Sequence, residues 1–506
     1  MSSDEKIISL NDLAKICGEY KIKKKKVVLS RGCFDLLHPG HIRHLKAAKK
    51  YGDILIVTII PDRFVRKGPE RPVFNEHLRA ESVASLADVD YVALEKDETV
   101  VNTIQLLKPD FYVKGKEYSN STEGETSTIL LEEKAVKKIG GEIRFTDEIT
   151  FSSSSIINER FNILSKDAKE YLKTLKRDYT SSDIVRILKS LNNMNVLIIG
   201  DVILDEYVFC KAVGKPEKAA VVSTKFLYNE VYAGGCLAVA NHVAGFVKNV
   251  QLVSCLGNDN KEEYIKKHLR DNIRSKFFYR KYAPTIVKTR YLEKFERSKL
   301  FEVSQINDEF IDQKVEESVI SYLNNNIPKY DMVLVADFGH GLITPKIQET
   351  ISKKSKFTAV NAQTNSINFG FNMITKYSNV DYISIDEREL RLPYRAKFGE
   401  IEPLIRRVAK DTQCKRINIT LGGSGSIYYQ DGKTYYVPIF SDRVVDSVGA
   451  GDAVLAITSL LAKKKAPPKV IPFVGNVVGG LKVKTMGNKE PINPSDLFTF
   501  INYVMK

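Results

Sequence analysis

Two stretches decide the fold: Lys26-Val-Val-Leu-Ser-Arg-Gly-Cys-Phe-Asp35 and Val196-Leu-Ile-Ile-Gly-Asp201. Each is a short apolar run followed by glycine and aspartate, which is typical of the first strand of an α/β domain. After each stretch, strand-like runs alternate with segments of helical spacing. This alternation predicts two α/β domains, each a doubly wound parallel sheet that binds its ligand at the carboxyl ends of the strands.

The segment between the two patterns predicts a domain boundary. It is rich in Lys, Asp and Ser, and its apolar residues from Ile184 to Leu191 recur at helical spacing. We therefore expect a first domain over residues 1–162, a helical linker over 163–194 and a second domain over 195–506. Within the second domain, residues 217–232 are predicted to form antiparallel strands that make a small β lid.

Composition excludes several classes of protein. The 506 residues are 43% hydrophobic and 27% charged, as in ordinary globular proteins and unlike disordered or collagen-like chains. The longest apolar runs fall far short of the roughly 20 residues that span a bilayer, and no secretory signal is read at the N-terminus, so we expect a cytoplasmic protein with no membrane partner. The net charge of +15 is not concentrated in any arginine-rich or aromatic-interleaved segment, so a nucleic-acid partner rests on charge alone and is not predicted.

The densest chemical signal is Arg31-Gly-Cys-Phe-Asp-Leu-Leu-His-Pro-Gly-His41. His38 and His41 are three residues apart at the start of a predicted helix, beside backbone N–H groups and the positive end of the helix dipole, which together favour a triphosphate. Their imidazoles can donate hydrogen bonds to phosphoryl oxygens as negative charge builds up on the α-phosphate. A lone histidine is more often structural, but the complete string directly after a strand favours catalysis.

This string resembles the GxFDxxHxGH signature of the cytidylyltransferase-like nucleotidyltransferases, which transfer a nucleoside monophosphate from an NTP and release pyrophosphate. Four later segments, 67–73, 78–80, 89–92 and 109–118, look like the adenylyltransferase half of bacterial bifunctional heptose-phosphate kinase/adenylyltransferases, and residues 151–157 resemble the family's serine/threonine-rich signature. Gly115-Lys116-Glu117-Tyr118 departs from the relatives and leaves the acceptor pocket open. A surface lysine at position 67 and an ordinary N-cap at the serines are the structural alternatives. The resemblance implies transition-state stabilisation by His38 and His41 and nucleotide binding by Gly32, Phe34, Lys67, Lys114, Ser153, Ser154 and Ser155.

A second constellation is Val445-Asp-Ser-Val-Gly-Ala-Gly-Asp-Ala453. Its glycines offer backbone N–H groups to the charge that develops on a transferring phosphoryl group, and Asp452 can accept the proton of an attacking hydroxyl. Taken alone, this string could also be a plain strand-to-helix turn.

The whole segment 195–506 resembles the ribokinase-like (PfkB) carbohydrate kinases, on matching pieces near residues 200–205, 216–221, 234–235, 285–290, 337–341 and 420–425 together with the 445–453 loop. Asp201 and Asp205 could instead cap a loop, since a strand-end aspartate often does. The resemblance implies that Asp452 is the catalytic base, that Gly449, Ala450 and Gly451 form an anion hole, that Thr420, Gly422 and Gly425 bind ATP, that Asp201, Asp205, Gly234, Gly235 and Arg290 bind the sugar, and that Asp386 and Glu389 organise Mg²⁺.

Three departures from the relatives concern specificity and order. Ala238 stands where the kinase family carries an asparagine, so a side chain expected to hydrogen-bond the sugar is missing. The family's NxxE pattern reads Asp386-Glu-Arg-Glu389 in this chain, so aspartate replaces asparagine. The replacement keeps an oxygen ligand for Mg²⁺ and adds a negative charge. The order of the two domains is also reversed relative to the heptose enzymes.

The two resemblances together cover residues 27–160 and 195–506, and they imply a bifunctional enzyme of nucleotide-sugar synthesis. One half would phosphorylate a sugar or sugar phosphate at its anomeric hydroxyl with MgATP, and heptose 7-phosphate is the substrate that the resemblance favours. The other half would transfer a nucleoside monophosphate from ATP or CTP to the sugar 1-phosphate and release pyrophosphate. A separate phosphatase would act between the two steps, and the resemblance to sugar kinases implies a homodimer.

An alternative remains open at this stage. The first domain could be a CTP-dependent polyol-phosphate cytidylyltransferase, with a kinase-like domain of other specificity or with a sensing role. Ala238 and Asp386 keep this alternative open, and the intact Asp452 speaks against a dead kinase.

Overall fold

The structure, a computed structural model, describes residues 3–65, 71–115, 123–146, 164–214, 221–294, 298–441 and 444–505. They form two compact units, the first ending at Leu164 and the second running from Ser165 to Met505. Within these ranges, no helix combines the length and the apolar character needed to cross a bilayer.

The first unit is built on a five-stranded, fully parallel sheet in the order β3-β2-β1-β4-β5. Its central strand is buried on both faces, as expected when helices cover both sides of a parallel sheet. Leu29 packs on Leu13 on one face, whereas Val28 packs with Leu45 on the other. The elements are α1 Ser3–Lys6, α2 Leu10–Ile22, β1 Val27–Gly32, α3 Pro39–Lys49, β2 Ile54–Ile59, α4 Glu76–Ala84, β3 Tyr91–Leu94, α5 Val101–Leu107, β4 Phe111–Gly115, α6 Glu123–Lys138 and β5 Glu142–Thr146.

The second unit begins with two helices, α7 Lys166–Asp178 and α8 Ser181–Lys189. Thr180 and Asp183 form a capping box at the start of α8. The hydroxyl of Tyr171 donates to the carbonyl of Lys469, so α7 is fastened to the body of this unit. The helical character expected for residues 163–194 is therefore present in these helices, while the domain boundaries themselves stay a prediction.

The main sheet of the second unit has nine strands in the order β10-β9-β6-β13-β14-β15-β16-β17-β18, and all neighbouring strands pair in parallel except at β17, which is antiparallel to both β16 and β18. A separate four-stranded sheet, which we call the lid sheet, has the order β12-β11-β7-β8. The elements are β6 Asn195–Gly200, β7 Val202–Gly214, β8 Ser223–Gly235, α9 Cys236–Ala244, β9 Asn249–Gly257, α10 Glu262–Lys267, β10 Ile273–Arg280, β11 Val287–Glu293, β12 Lys299–Gln305, α11 Gln313–Asn326, β13 Met332–Asp337, α12 Pro345–Lys354, β14 Thr358–Ala362, β15 Tyr382–Asp386, α13 Glu387–Arg391, α14 Ile401–Thr412, β16 Arg416–Thr420, β17 Ser426–Gln430, β18 Lys433–Val437, α15 Ala450–Lys463, α16 Val470–Lys482 and α17 Pro494–Val504.

The lid sheet corresponds to the antiparallel segment expected from the sequence. Strand β8 pairs antiparallel with β7, and β12 pairs antiparallel with β11. The described part of the predicted segment forms one strand, β8, which begins at Ser223, and its antiparallel partner β7 lies outside the segment. Residues 217–220 lie outside the described residues.

Candidate active sites

The two histidines of the first motif lie together at the start of helix α3. Strand β1 ends at Gly32, and His38 is the N-cap of the helix. The imidazole rings of His38 and His41 are stacked with centroids 3.9 Å apart, and Phe34 lies edge-on to His41 at 5.2 Å. The backbone N–H of Gly40 donates to Nδ1 of His38 at 3.1 Å, which leaves Nε2 of that ring as the hydrogen-bond donor. A donor at a helix N-terminus suits an anionic phosphate.

Two arginines brace the loop around these histidines. Asp35 forms a buried ion pair with Arg71 and also accepts the backbone N–H of Val73 at 2.6 Å. Arg79 donates to the carbonyl of Ile60 at 2.8 Å and to Asp62 at 2.6 Å. The sequence segment 78–80 is one of the pieces that resemble the adenylyltransferases, but no role was assigned to Arg79, which lies on the buried face of α4.

His44, on the same helix, has a structural role. Its Nε2 lies 3.0 Å from the hydroxyl of Ser30, and its Nδ1 lies 2.7 Å from the hydroxyl of Thr146. Burial lowers the pKa of His44 to about 4, so the ring is neutral near pH 7 and bridges β1 and β5. Of His38, His41 and His44, the first two are therefore the candidates for catalysis.

Other residues expected at the nucleotide have different placements. The ammonium of Lys114 forms an ion pair with the buried carboxylate of Glu132, so it is engaged within the first unit. Lys67 and the serines Ser153, Ser154 and Ser155 lie outside the described residues. Their roles stay predictions.

The second unit contains a cavity of about 710 Å³, which is in the usual size range for small-molecule sites. It brings together most of the residues that the kinase resemblance assigned, although Gly234 and Asp201 are not among its described lining residues. The predicted residues that line it are Asp205, Gly235, Arg290, Asp386, Glu389, Thr420, Gly422, Gly425, Gly449, Ala450, Gly451 and Asp452.

Asp452 has the environment of a general base. It lies in the first turn of α15 and lines the cavity, and no side chain among the described residues is hydrogen-bonded to its carboxylate. Burial, with the nearby charge of Asp205, raises the pKa of Asp452 to about 7, and the ammonium groups of Lys482 and Lys288 oppose that rise. A base with a pKa near the working pH can accept a hydroxyl proton efficiently.

The glycine loop before Asp452 presents a helix start to the cavity. Gly449 has φ +80° and is the N-cap of α15. A side chain there would be strained, and a Cβ atom would lie 2.1 Å from Oδ1 of Asn488. The N–H of Ala450 donates weakly to the carbonyl of Ser447, at 3.3 Å. The first N–H groups and the dipole of this helix can stabilise the charge on a transferring phosphoryl group.

Asp205 is the centre of a charged network that also lines the cavity. Arg290 donates to Asp205 at 2.6 Å and to Glu302 at 2.8 Å. Gly234 passes so close that a Cβ atom would lie 2.1 Å from Oδ2 of Asp205. Lys288, two residues before Arg290 on β11, also lines the cavity, and burial lowers its pKa. Sequence reasoning included Lys288 in a matching segment but gave it no role.

Asp201 behaves as a loop cap. Its Oδ2 accepts the backbone N–H groups of Phe338 at 3.1 Å and His340 at 3.2 Å. Burial, with the charge of Asp337, raises the pKa of Asp201 to about 6. These contacts fit the capping alternative, because the carboxylate holds the loop after β13 and does not line the cavity.

Asp386 and Glu389 form a capping box at the start of α13. The Asp386 carboxylate accepts the N–H of Glu389 at 2.8 Å, and Glu389 accepts the N–H of Asp386 and that of Thr364, both at 2.9 Å. Within the described residues, no cluster of three or more His, Cys, Asp or Glu side chains could hold a metal ion. The two carboxylates therefore fit Mg²⁺ only as partial ligands, direct or through water, of an ion that nucleotide phosphates also bind.

The raised pKa of Asp452 predicts a pH dependence of the phosphoryl transfer that the kinase resemblance implies. The carboxylate must be ionised to accept a proton, so kcat/KM should fall about tenfold for each pH unit below about 7 and level off above it. Initial rates of ADP formation between pH 5.5 and 8.5 would measure the profile. The residual activity of an Asp452→Asn variant is the control, because any slope from ionisation of the substrates would persist in it. A flat wild-type profile would contradict this assignment.

Family models match both halves of the chain. Residues 194–495 match the model described as pfkB family carbohydrate kinase, and residues 29–160 match the model described as cytidylyltransferase-like. Both resemblances expected from the motifs, and their order along the chain, are thereby confirmed.

Curated relatives include "Bifunctional protein HldE" of Geobacter metallireducens, which is 36% identical over 171 residues, covering 33% of this chain and 32% of the relative. The protein of the same name in Helicobacter acinonychis is 47% identical over 115 residues, covering 22% and 24%. The chain thus spans about a third or less of the length of the curated relatives it matches.

Solved structures share the fold. Phosphofructokinase-2 from Escherichia coli in complex with potassium has a TM-score of 0.51 at 11% identity, with 62% of this chain and 100% of that chain covered. The same enzyme in complex with substrates and products has a TM-score of 0.50 at 12% identity, with the same coverage. Together with the family matches, this confirms the predicted α/β architecture.

Proposed function

This chain belongs to the pfkB family of carbohydrate kinases, and from that premise we propose a bifunctional enzyme of nucleotide-sugar synthesis. The second unit phosphorylates a sugar phosphate at its anomeric hydroxyl with MgATP. The substrate we favour is heptose 7-phosphate. The first unit transfers a nucleoside monophosphate from ATP or CTP to a sugar 1-phosphate and releases pyrophosphate. The observation that carries the proposal is Asp452 at a glycine-rich helix start inside a cavity that Asp205 and Thr420 also line.

Charge in the cavity supports a phosphorylated sugar. Lys288 and Arg290 lie two residues apart on β11, so their side chains leave the strand on the same face, and both line the cavity. Asp205 and Asp452 on the same cavity are acceptors for hydroxyl groups. Cations for a phosphate and carboxylates for hydroxyls are what a sugar phosphate requires.

The paired histidines support the second activity. The stacked His38 and His41 lie at the start of α3, where a helix N-terminus favours phosphate. The shared name of the curated relatives, with the word bifunctional, points in the same direction. Because the kinase product would carry two phosphates, a separate phosphatase would have to act before nucleotidyl transfer.

Mass spectrometry of reaction products tests the proposed function. The protein would be incubated with MgATP or MgCTP and a panel of hexose, heptose and polyol phosphates that includes 1-phosphates. We expect phosphorylation of heptose 7-phosphate and, with heptose 1-phosphate, a nucleoside-diphosphate heptose from one of the two nucleotides. A CDP-polyol without any sugar phosphorylation would overturn the proposal in favour of a polyol-phosphate cytidylyltransferase.

The lid sheet supports a homodimer. Its edge strand β12 is exposed along almost its whole length and carries Phe301 and Val303, which are 55% and 49% exposed. An exposed edge strand presents unpaired backbone N–H and C=O groups with which another chain can pair. A second copy of this chain is the partner that the likeness to sugar kinases favours.

Light scattering after size-exclusion chromatography tests this dimer. The wild type is expected to have twice the mass of one chain, and Phe301→Asp should shift it toward the monomer by placing a charge in the apolar contact. Phe371→Asp is the matched control, because Phe371 is 87% exposed in a loop outside the lid sheet. A monomeric wild type at tens of micromolar would overturn the dimer.

A further inference from the structure

The loop between helices α16 and α17 places an amide side chain on the lining of the kinase cavity, next to Asp205. Asn488 lies on this loop and lines the cavity. Its Nδ2 donates to Oδ2 of Asp205 at 3.0 Å, although the two residues are 283 positions apart in the chain. None of the motifs read from the sequence includes Asn488.

The hydrogen bond to Asp205 fixes which way the amide points. An ionised carboxylate can only accept, so the NH₂ group must face it and the carbonyl oxygen must face away. That oxygen, Oδ1, is buried and has no hydrogen-bond partner among the described residues. It lies against Gly449, where a Cβ atom would be only 2.1 Å from it. A buried acceptor without a donor is costly, so this oxygen calls for a donor from a bound molecule.

The loop that carries Asn488 is held rigidly. The buried ammonium of Lys482 donates to the carbonyls of Gly487 at 2.7 Å and Glu490 at 3.1 Å. The N–H of Gly487 donates to the carboxylate of Asp446 at 3.0 Å. Because the loop is fixed on both sides of Asn488, the amide is already in place before a substrate binds.

We propose that Asn488 is a specificity-determining residue of the kinase site, and that its Oδ1 accepts a hydrogen bond from one hydroxyl of the bound sugar. This inference rests on the proposed kinase function. With Asp205 and Asp452, the amide oxygen makes a set of hydrogen-bond acceptors that suits a molecule with several hydroxyl groups. Ala238, where the family carries an amide, has no polar side-chain atom and is not among the described lining residues of the cavity. Asn488 supplies an amide to this cavity from a different part of the chain.

Deoxy analogues of the substrate test this assignment. Wild type, Asn488→Ala and Asn488→Leu would be assayed with heptose 7-phosphate and with each of its monodeoxy analogues. The leucine variant keeps the side-chain volume and removes the polar atoms. We expect kcat/KM for the parent sugar to fall about 10- to 100-fold in both variants, with the KM for ATP within about twofold of wild type. One deoxy analogue should be a poor substrate for the wild type and as good as the parent sugar for the variants.

Asn229→Ala is the matched control. Asn229 donates to the carboxylate of Glu206 at 2.7 Å in an equivalent amide–carboxylate pair that is exposed, and its replacement should leave the ranking of analogues unchanged. Thermal melts of all variants show whether they fold. Variants that keep the wild-type ranking of deoxy analogues, or that lose only ATP affinity, overturn the assignment of Asn488. A wild type that phosphorylates none of the sugars overturns the proposed function, and this inference with it.

Discussion

Replacing Asp452 by asparagine is expected to lower the turnover of sugar phosphorylation by about 100- to 10,000-fold, the usual contribution of a general base. Asparagine has nearly the same shape but cannot take the proton from the attacking hydroxyl. The change also breaks no hydrogen bond to a described side chain, so the loss should be chemical and not structural. The rate of ADP formation with saturating sugar phosphate and MgATP measures it.

The control for this variant is Asp308→Asn, which removes an exposed carboxyl in a loop and should leave the turnover unchanged. Pyrophosphate release from the first unit should stay at the wild-type rate in Asp452→Asn. An Asp452→Asn protein that phosphorylates the sugar at nearly the wild-type rate would show that another group is the base.

The second large effect is expected for His41→Ala, which should slow pyrophosphate release by about 100- to 1,000-fold, since a donor to the developing phosphoryl charge is lost. His41 stacks on His38 at 3.9 Å, so the change also removes a contact that orients the neighbouring ring. A coupled pyrophosphate assay with sugar 1-phosphate supplied directly would measure it, because the assay then depends on neither the kinase nor a phosphatase.

His77→Ala is the matched control, since His77 is exposed on α4. Sugar phosphorylation should continue at the wild-type rate in His41→Ala. If either His41→Ala or Asp452→Asn abolished both activities in a folded protein, the independence of the two sites would be wrong.

Local patterns predicted the fold and much of the kinase cavity. Buried runs such as 196–200 and 332–336 read as strands because parallel strands covered on both faces are apolar throughout. The glycine loop before Asp452 predicted a phosphate-binding site, because glycines at a helix start leave backbone N–H groups available. Each of these signals is local, because it depends only on residues that are neighbours in the sequence.

Contacts between distant parts of the chain could not be predicted in this way. Asn488 comes into contact with Asp205 only when the second unit folds, because the two residues are 283 positions apart in the chain. No sequence pattern around Asn488 indicates a functional residue. Asp386-Glu-Arg-Glu389 did contain a readable signal, because an acidic residue followed three positions later by glutamate is typical of a capping box. The sequence was interpreted through the family's magnesium pattern instead, and the structure shows that the same residues also start a helix.

The buried carboxyl groups of the second unit have a consequence for folding. The pKa values of Asp201 and Asp452, about 6 and about 7 in the folded chain, lie above the ordinary value of 3.8. Between about pH 4 and those values the folded state binds protons that the unfolded chain has already released, so their contribution to stability declines as the pH rises through this window. Activity changes in the opposite direction, because the base must be ionised. The kinase unit therefore has a function–stability trade-off, in which the ionised base that catalysis needs is the form that weakens the fold.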